Sequence, residues 1–132
     1  MNNDGASIFI RDLDVSVVIG VSPKERKSPQ TIRLDLEIAF CFLSDHLPTR
    51  TDRVTDTLDY ESLISRIIEV SQRQSPALLE RFGELIAETL FGHFDQIESL
   101  RISLHKIPPP MAEGMLGAVG ITLNYSKKGL SR

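Results

Sequence analysis

Covalent cross-links cannot hold this chain together, because its one cysteine, Cys41, has no second cysteine to pair with. A reducing compartment is the simpler setting. No basic, apolar and small-residue signal pattern opens the chain, which agrees with a cytoplasmic location. No apolar run is long enough to cross a bilayer, so a membrane partner is not expected. A glycine-rich phosphate loop is also missing. The stretch Gly114-Met115-Leu116-Gly117-Ala118-Val119-Gly120 precedes a strand pattern rather than a helix, and so fails the dinucleotide test. A net charge of −3 lacks the basic field of a general nucleic-acid binder. Among the three histidines, His46 reads as a loop residue, His93 lies just past a helix and His105 points outward from a strand. No two have ligand spacing, so neither a metal nor another cofactor is expected.

What is present is an ordinary globular composition, with 132 residues, 41% of them hydrophobic and 25% charged. That length fits one domain over residues 1–132, with loose ends at 1–6 and 126–132. Ile8 and Ile10, then Leu13, Val15, Val17 and Ile19, alternate in two runs that slip phase at Arg11-Asp12, as in one strand with a bulge. After a charged connection from Val21 to Pro29, Ile32, Leu34, Leu36, Ile38, Phe40 and Phe42 predict a second strand. A polar crossing from Ser44 to Asp56 follows. Asp59 then reads as the N-cap of a helix whose stripe is Leu63, Ile64, Ile67, Ile68 and Val70. Ser75 as N-cap and Pro76 at the first helical position predict a second helix, burying Leu78, Leu79, Phe82, Leu85, Ile86 and Leu90 and ending in a left-handed Gly92. Leu100, Ile102 and Leu104 mark a third strand, and Val119, Ile121, Leu123 and Tyr125 a fourth. The class is α+β, β-β-α-α-β-β, with two helices on one face of a four-stranded antiparallel sheet. Both sheet edges are uncovered in the pattern, so pairing with other copies is expected.

Four residues stand out chemically. Lys106 continues the inward row of Leu100, Ile102 and Leu104, just before the prolines at 108 to 110. It reads either as a snorkelling lysine, the commoner case, or as a partly desolvated amine acting as acid or base. Glu80, in the first turns of the second helix, is either an ordinary helix-start acid or an acceptor for two parallel N–H donors of a flat heterocycle. Tyr60 opens the first helix as an amphipathic packing residue. Glu25 is a loop acid, solvated by default.

Taken together, Ile19-Gly20-Val21 with Glu25-Arg26 and Gln30, then Asp56-Thr57-Leu58-Asp59-Tyr60, Leu78-Leu79-Glu80, Leu104-His105-Lys106 and Ala118-Val119-Gly120-Ile121, resemble the dihydroneopterin aldolase family of folate biosynthesis. The resemblance implies the tunnelling fold, with sheets joined into a barrel and tetrameric rings stacked as an octamer. It implies a pterin substrate anchored by Glu80 and by the backbone of Leu79, with Lys106 catalytic. Tyr60 would be contributed across a subunit interface, and Glu25 would lie near the substrate side chain. It implies retro-aldol cleavage of dihydroneopterin to hydroxymethyl-dihydropterin and glycolaldehyde, without a Schiff base or zinc. The pterin ring would serve as electron sink while Lys106, Tyr60 and water move protons. The related dihydroneopterin triphosphate epimerase is the alternative, favoured by the basic loop Lys24, Arg26 and Lys27. A pterin-binding homologue without catalysis is a third reading, opposed by the joint presence of Lys106, Tyr60 and Glu80.

Overall fold

The computed structural model describes residues 5–42, 45–110 and 114–130. Expectations for residues 1–4, 43–44, 111–113 and 131–132 lie outside the described residues. The chain runs β1 (Gly5–Val17), β2 (Gln30–Cys41), a single turn α1 (Pro48–Thr51), α2 (Tyr60–Arg73), α3 (Leu79–His93), β3 (Ile97–Ile107), β4 (Gly120–Ser126) and a last turn α4 (Lys127–Leu130). The four strands form one antiparallel sheet in the order β1-β2-β3-β4, so β1 and β4 are its edges. Gly5 and Ala6, expected to be loose, are already part of β1, and residues 127–130 are helical.

Alternation decides which face is buried. Ile32, Leu34, Leu36, Ile38 and Phe40 on β2 and Leu100, Ile102 and Leu104 on β3 turn inward beneath α2 and α3. Registers Leu34 with Leu104, Leu36 with Ile102 and Ile38 with Leu100 put these rows side by side. Each such side chain contributes about 1.5–3 kcal/mol by leaving water. The expected phase slip is real: the β1–β2 register shifts between Ile10 and Leu13. Asp12 takes a left-handed φ of 56° there, and its N–H donates to Asp35 Oδ1 at 2.7 Å.

The helices depart from the expected pattern in three places. Asp59 does cap α2, accepting the Glu61 N–H at 3.0 Å, but Ile68 lies on the flank of the buried stripe of Leu63, Ile67 and Val70. Ser75 and Pro76 do not start α3. Their carbonyls accept hydrogen bonds from the Arg26 guanidinium, which holds that stretch as a linker; the helix begins at Leu79, and Leu78 is 54% exposed. Gly92 is inside the helix rather than its left-handed stop. The end is made by Phe94, an extended residue whose N–H donates to the Leu90 carbonyl. The crossing before α2 also holds more order than expected, α1 and a 3₁₀ turn at Val54–Asp56. There Thr51 and Arg53 donate to the Asp56 carboxylate.

Candidate active site

Lys106 ends the inward row of β3 opposite Ile32, so its stem runs along the core while its ammonium reaches the rim. Its side chain is 18% exposed, and Nζ donates to Glu25 Oε2 at 2.7 Å. The Ile107–Pro108 peptide bond that follows is cis. Glu25 opens a single 3₁₀ turn, Glu25–Lys27, in the β1–β2 connection. Its other oxygen, Oε1, accepts from the Ser22 N–H at 3.3 Å and the Ser22 hydroxyl at 3.2 Å. The Glu25 N–H in turn donates to Ser22 Oγ. This is the reciprocal exchange of a capping box, Ser22-Pro23-Lys24-Glu25. The Lys106 hydrogen bond, with the Ser22 N–H second, holds the Glu25 carboxyl well below the usual carboxylate range, at about 2. Gly20 makes room for it. Its φ is 133°, and a Cβ there would lie 2.5 Å from the Glu25 side chain.

Leu79 and Glu80 lie at the same end of the sheet. Gly83, one turn further along α3, lies so close to β4 that a Cβ would strike Leu123 Cδ1 at 2.5 Å, with Leu104 Cδ1 at 3.4 Å. At the far end of α3, the Phe94 carbonyl accepts the Ile97 N–H at the start of β3. The helix therefore runs antiparallel to β3, with its N-terminal Leu79 and Glu80 toward the Lys106 end. Leu79 is half-buried and Glu80 is exposed.

Tyr60 is elsewhere. It is 60% exposed and shares a groove with Ile8, Val54, Thr57 and Leu58. Ile8 pairs with Ile38 and Lys106 with Ile32, so the two ends are six residues of β2 apart, about 20 Å at strand rise. No hydrogen bond or ion pair among the described residues joins Tyr60 or Glu80 to Glu25 or Lys106. The chain thus brings Lys106 and Glu25 into contact, sets Leu79 and Glu80 toward them, and holds Tyr60 at the opposite end.

The dihydroneopterin aldolase family profile matches residues 8–124. The chain belongs to the dihydroneopterin aldolase family. A dihydroneopterin aldolase of Streptococcus pyogenes is 31% identical over 108 residues, 82% of this chain and 87% of that protein. A Chlamydia trachomatis protein described as a probable dihydroneopterin aldolase is 35% identical over 105 residues, 76% of this chain and 82% of that one. Among solved structures, E. coli dihydroneopterin aldolase in complex with neopterin superposes with a TM-score of 0.78 at 28% identity, covering 92% of this chain and 99% of that one. The β-β-α-α-β-β order and the one-faced antiparallel sheet are those of this family's fold.

Ser22 and the contacts of Arg26 escaped the sequence reading. The S-x-x-E spacing of Ser22 and Glu25 was the available signal for the first. For the contacts of Arg26 with Ser75 and Pro76 no local signal exists, since those carbonyls are about 50 positions away in sequence. Among the described residues no cluster of three or more His, Cys, Asp or Glu side chains is placed to hold a metal, and no helix is long and apolar enough to cross a membrane.

Proposed function

We propose that this chain is a dihydroneopterin aldolase whose site is built from Lys106, Glu25, Leu79 and Glu80 of one copy and Tyr60 of a neighbour. The observation that carries the reading is the Lys106–Glu25 contact at 2.7 Å, an ammonium held by a carboxylate at the rim of an otherwise apolar row. Glu80 accepts two N–H donors of the pterin ring, and the backbone of Leu79 adds a further contact. In the retro-aldol step the 2′-hydroxyl loses its proton and the bond between the first two side-chain carbons breaks. The electron pair passes into the ring system, releasing glycolaldehyde. A proton then returns to the first side-chain carbon, leaving hydroxymethyl-dihydropterin. Lys106, steadied by Glu25, carries protons together with Tyr60 and water.

The separation of about 20 Å between the Tyr60 and Lys106 ends favours a shared site. The edge strands β1 and β4 are the surfaces through which sheets join into a ring, with rings stacking to an octamer. A reducing cytoplasm suits the free thiol of Cys41, whose Sγ donates to Glu98 Oε2 at 2.9 Å. The exposed Lys24 and Lys27 favour a second reading, triphosphate epimerisation, but Arg26 is spent on backbone carbonyls. Offering the purified protein dihydroneopterin and its triphosphate separates the two. Glycolaldehyde from the first substrate supports the aldolase; the epimer alone, or no product from either, overturns it.

A further inference from the structure

We infer that Arg26 is a positioning residue, a clamp that ties the turn carrying Glu25 to the linker leading into Leu79 and Glu80. The inference rests on the functional reading above for its consequence, but not for its geometry. Nη1 of Arg26 donates to the carbonyls of Pro76 at 3.0 Å and Gly20 at 3.3 Å, and Nη2 to that of Ser75 at 2.9 Å. Ser75 and Pro76 lie between α2 and α3, where their carbonyls have no helical partner, and Pro76 is buried. A planar guanidinium presents donors on two nitrogens at a fixed spacing and satisfies two successive carbonyls at once, a fork that a lysine's single, freely rotating ammonium lacks. Among the described residues no other hydrogen bond joins the β1–β2 connection to this linker.

The clamp sits between the two parts of the site. Glu25 immediately precedes Arg26 in the same turn and holds Lys106; Leu79 and Glu80 follow Pro76 by three and four residues. Gly20, the third acceptor, is the residue over which the Glu25 side chain packs. Arg26 thereby sets the ring-anchoring segment at a fixed place relative to the proton carrier, without touching a substrate. Reaction rate is more sensitive to such alignment than ground-state affinity is.

The test uses full-length Arg26→Met and Arg26→Lys, assayed below their unfolding transitions. Three readouts are compared: kcat and KM with dihydroneopterin, neopterin affinity by titration, and amide hydrogen exchange of the unliganded protein. Arg26→Met is expected to lower kcat about tenfold or more and to weaken neopterin binding by a smaller factor. It is expected to raise exchange in residues 20–28 and 74–80 together. Arg26→Lys, which keeps the donors but not the fixed fork, is expected to recover part of kcat. A residue that only stabilises the fold would lower the melting temperature and leave kcat and KM per folded protein unchanged, and that result would overturn the clamp. So would exchange that rises in one segment alone. If Arg26→Met does not fold, Arg26→Lys decides by the same readouts, and wild-type kcat with wild-type exchange overturns the clamp. Joint loss of protection beside a wild-type protein inert toward dihydroneopterin would support the clamp while sinking the aldolase reading.

Discussion

The two ends of the sheet are built on different plans. At the Lys106 end a run of side chains is fastened within the chain: Lys106 to Glu25, Glu25 to Ser22, and Arg26 to the carbonyls of Gly20, Ser75 and Pro76. At the Tyr60 end the backbone is fixed by the Asp59 cap, yet Tyr60 and Val54 stand 60% and 62% exposed on an apolar groove. One end is organised by contacts within the chain, and the other is an exposed groove that no described residue covers. Under the proposed function the contrast assigns proton transfer and ring anchoring to one copy, and completion of the site to a neighbouring one.

The largest expected effect falls on the fastened end. Lys106→Ala should lower kcat by about 10²–10⁴-fold while the protein folds and still binds neopterin, as loss of a general acid–base group does. A lysine that only covers apolar surface would cost modest stability and leave turnover intact, so near-normal kcat would erase the distinction between the ends. Borohydride added during turnover should trap no adduct on Lys106 by mass spectrometry; an adduct would keep the lysine catalytic through an imine instead.

Glu80→Gln comes next. An amide accepts one ring donor and opposes the other with its NH₂, so neopterin affinity should fall by about 1.5–3 kcal/mol, roughly 10- to 150-fold. The melting temperature should hardly move, since Glu80 is exposed. Unchanged affinity by titration would remove Glu80 from the site.

The smallest effect concerns acid stability. Glu25 is held at about 2 in the folded protein against an ordinary 4.5, chiefly by Lys106. A depressed carboxylate stabilises the fold above its unfolded value, and that contribution is lost as pH falls through the folded one. The stability difference between wild type and Glu25→Gln should therefore be constant from neutral pH to about 5, shrink below 4.5 and vanish near 2. Denaturant unfolding at stepped pH checks this, and a difference that persists unchanged to pH 2 would contradict it.

How far the sequence could be read follows from the range of the forces involved. The strands were legible because alternation is local: Leu100, Ile102, Leu104 and Lys106 announce an inward row whether or not the rest of the sheet is known. The bulge at Arg11-Asp12 and the Asp59 cap were legible for the same reason. The start of α3 was not, because the local preference for Ser75 and Pro76 at a helix start is overruled by a guanidinium arriving from the β1–β2 connection. Gly92 misled because the α3 end needs no left-handed residue when Phe94 is extended. The site divides in the same way. Lys106 pointing to the rim could be read from its row, but its partner Glu25, 81 positions away, rests on the fold, and the place of Tyr60 could not be read from local pattern at all.

The most direct test of a site completed by a second copy is complementation between two damaged chains. Tyr60→Phe and Lys106→Ala are each prepared, shown to be impaired, then unfolded, mixed in equal amounts and refolded together. If Tyr60 serves the Lys106 of a neighbour, random mixing gives about a quarter of the sites an intact Tyr60 and an intact Lys106. Activity should then rise to about a quarter of the wild-type level in the mixture and stay low in each variant refolded alone. If Tyr60 acts with the Lys106 of its own chain, no mixed assembly holds an intact site, and activity that stays at the average of the two variants would contradict the account.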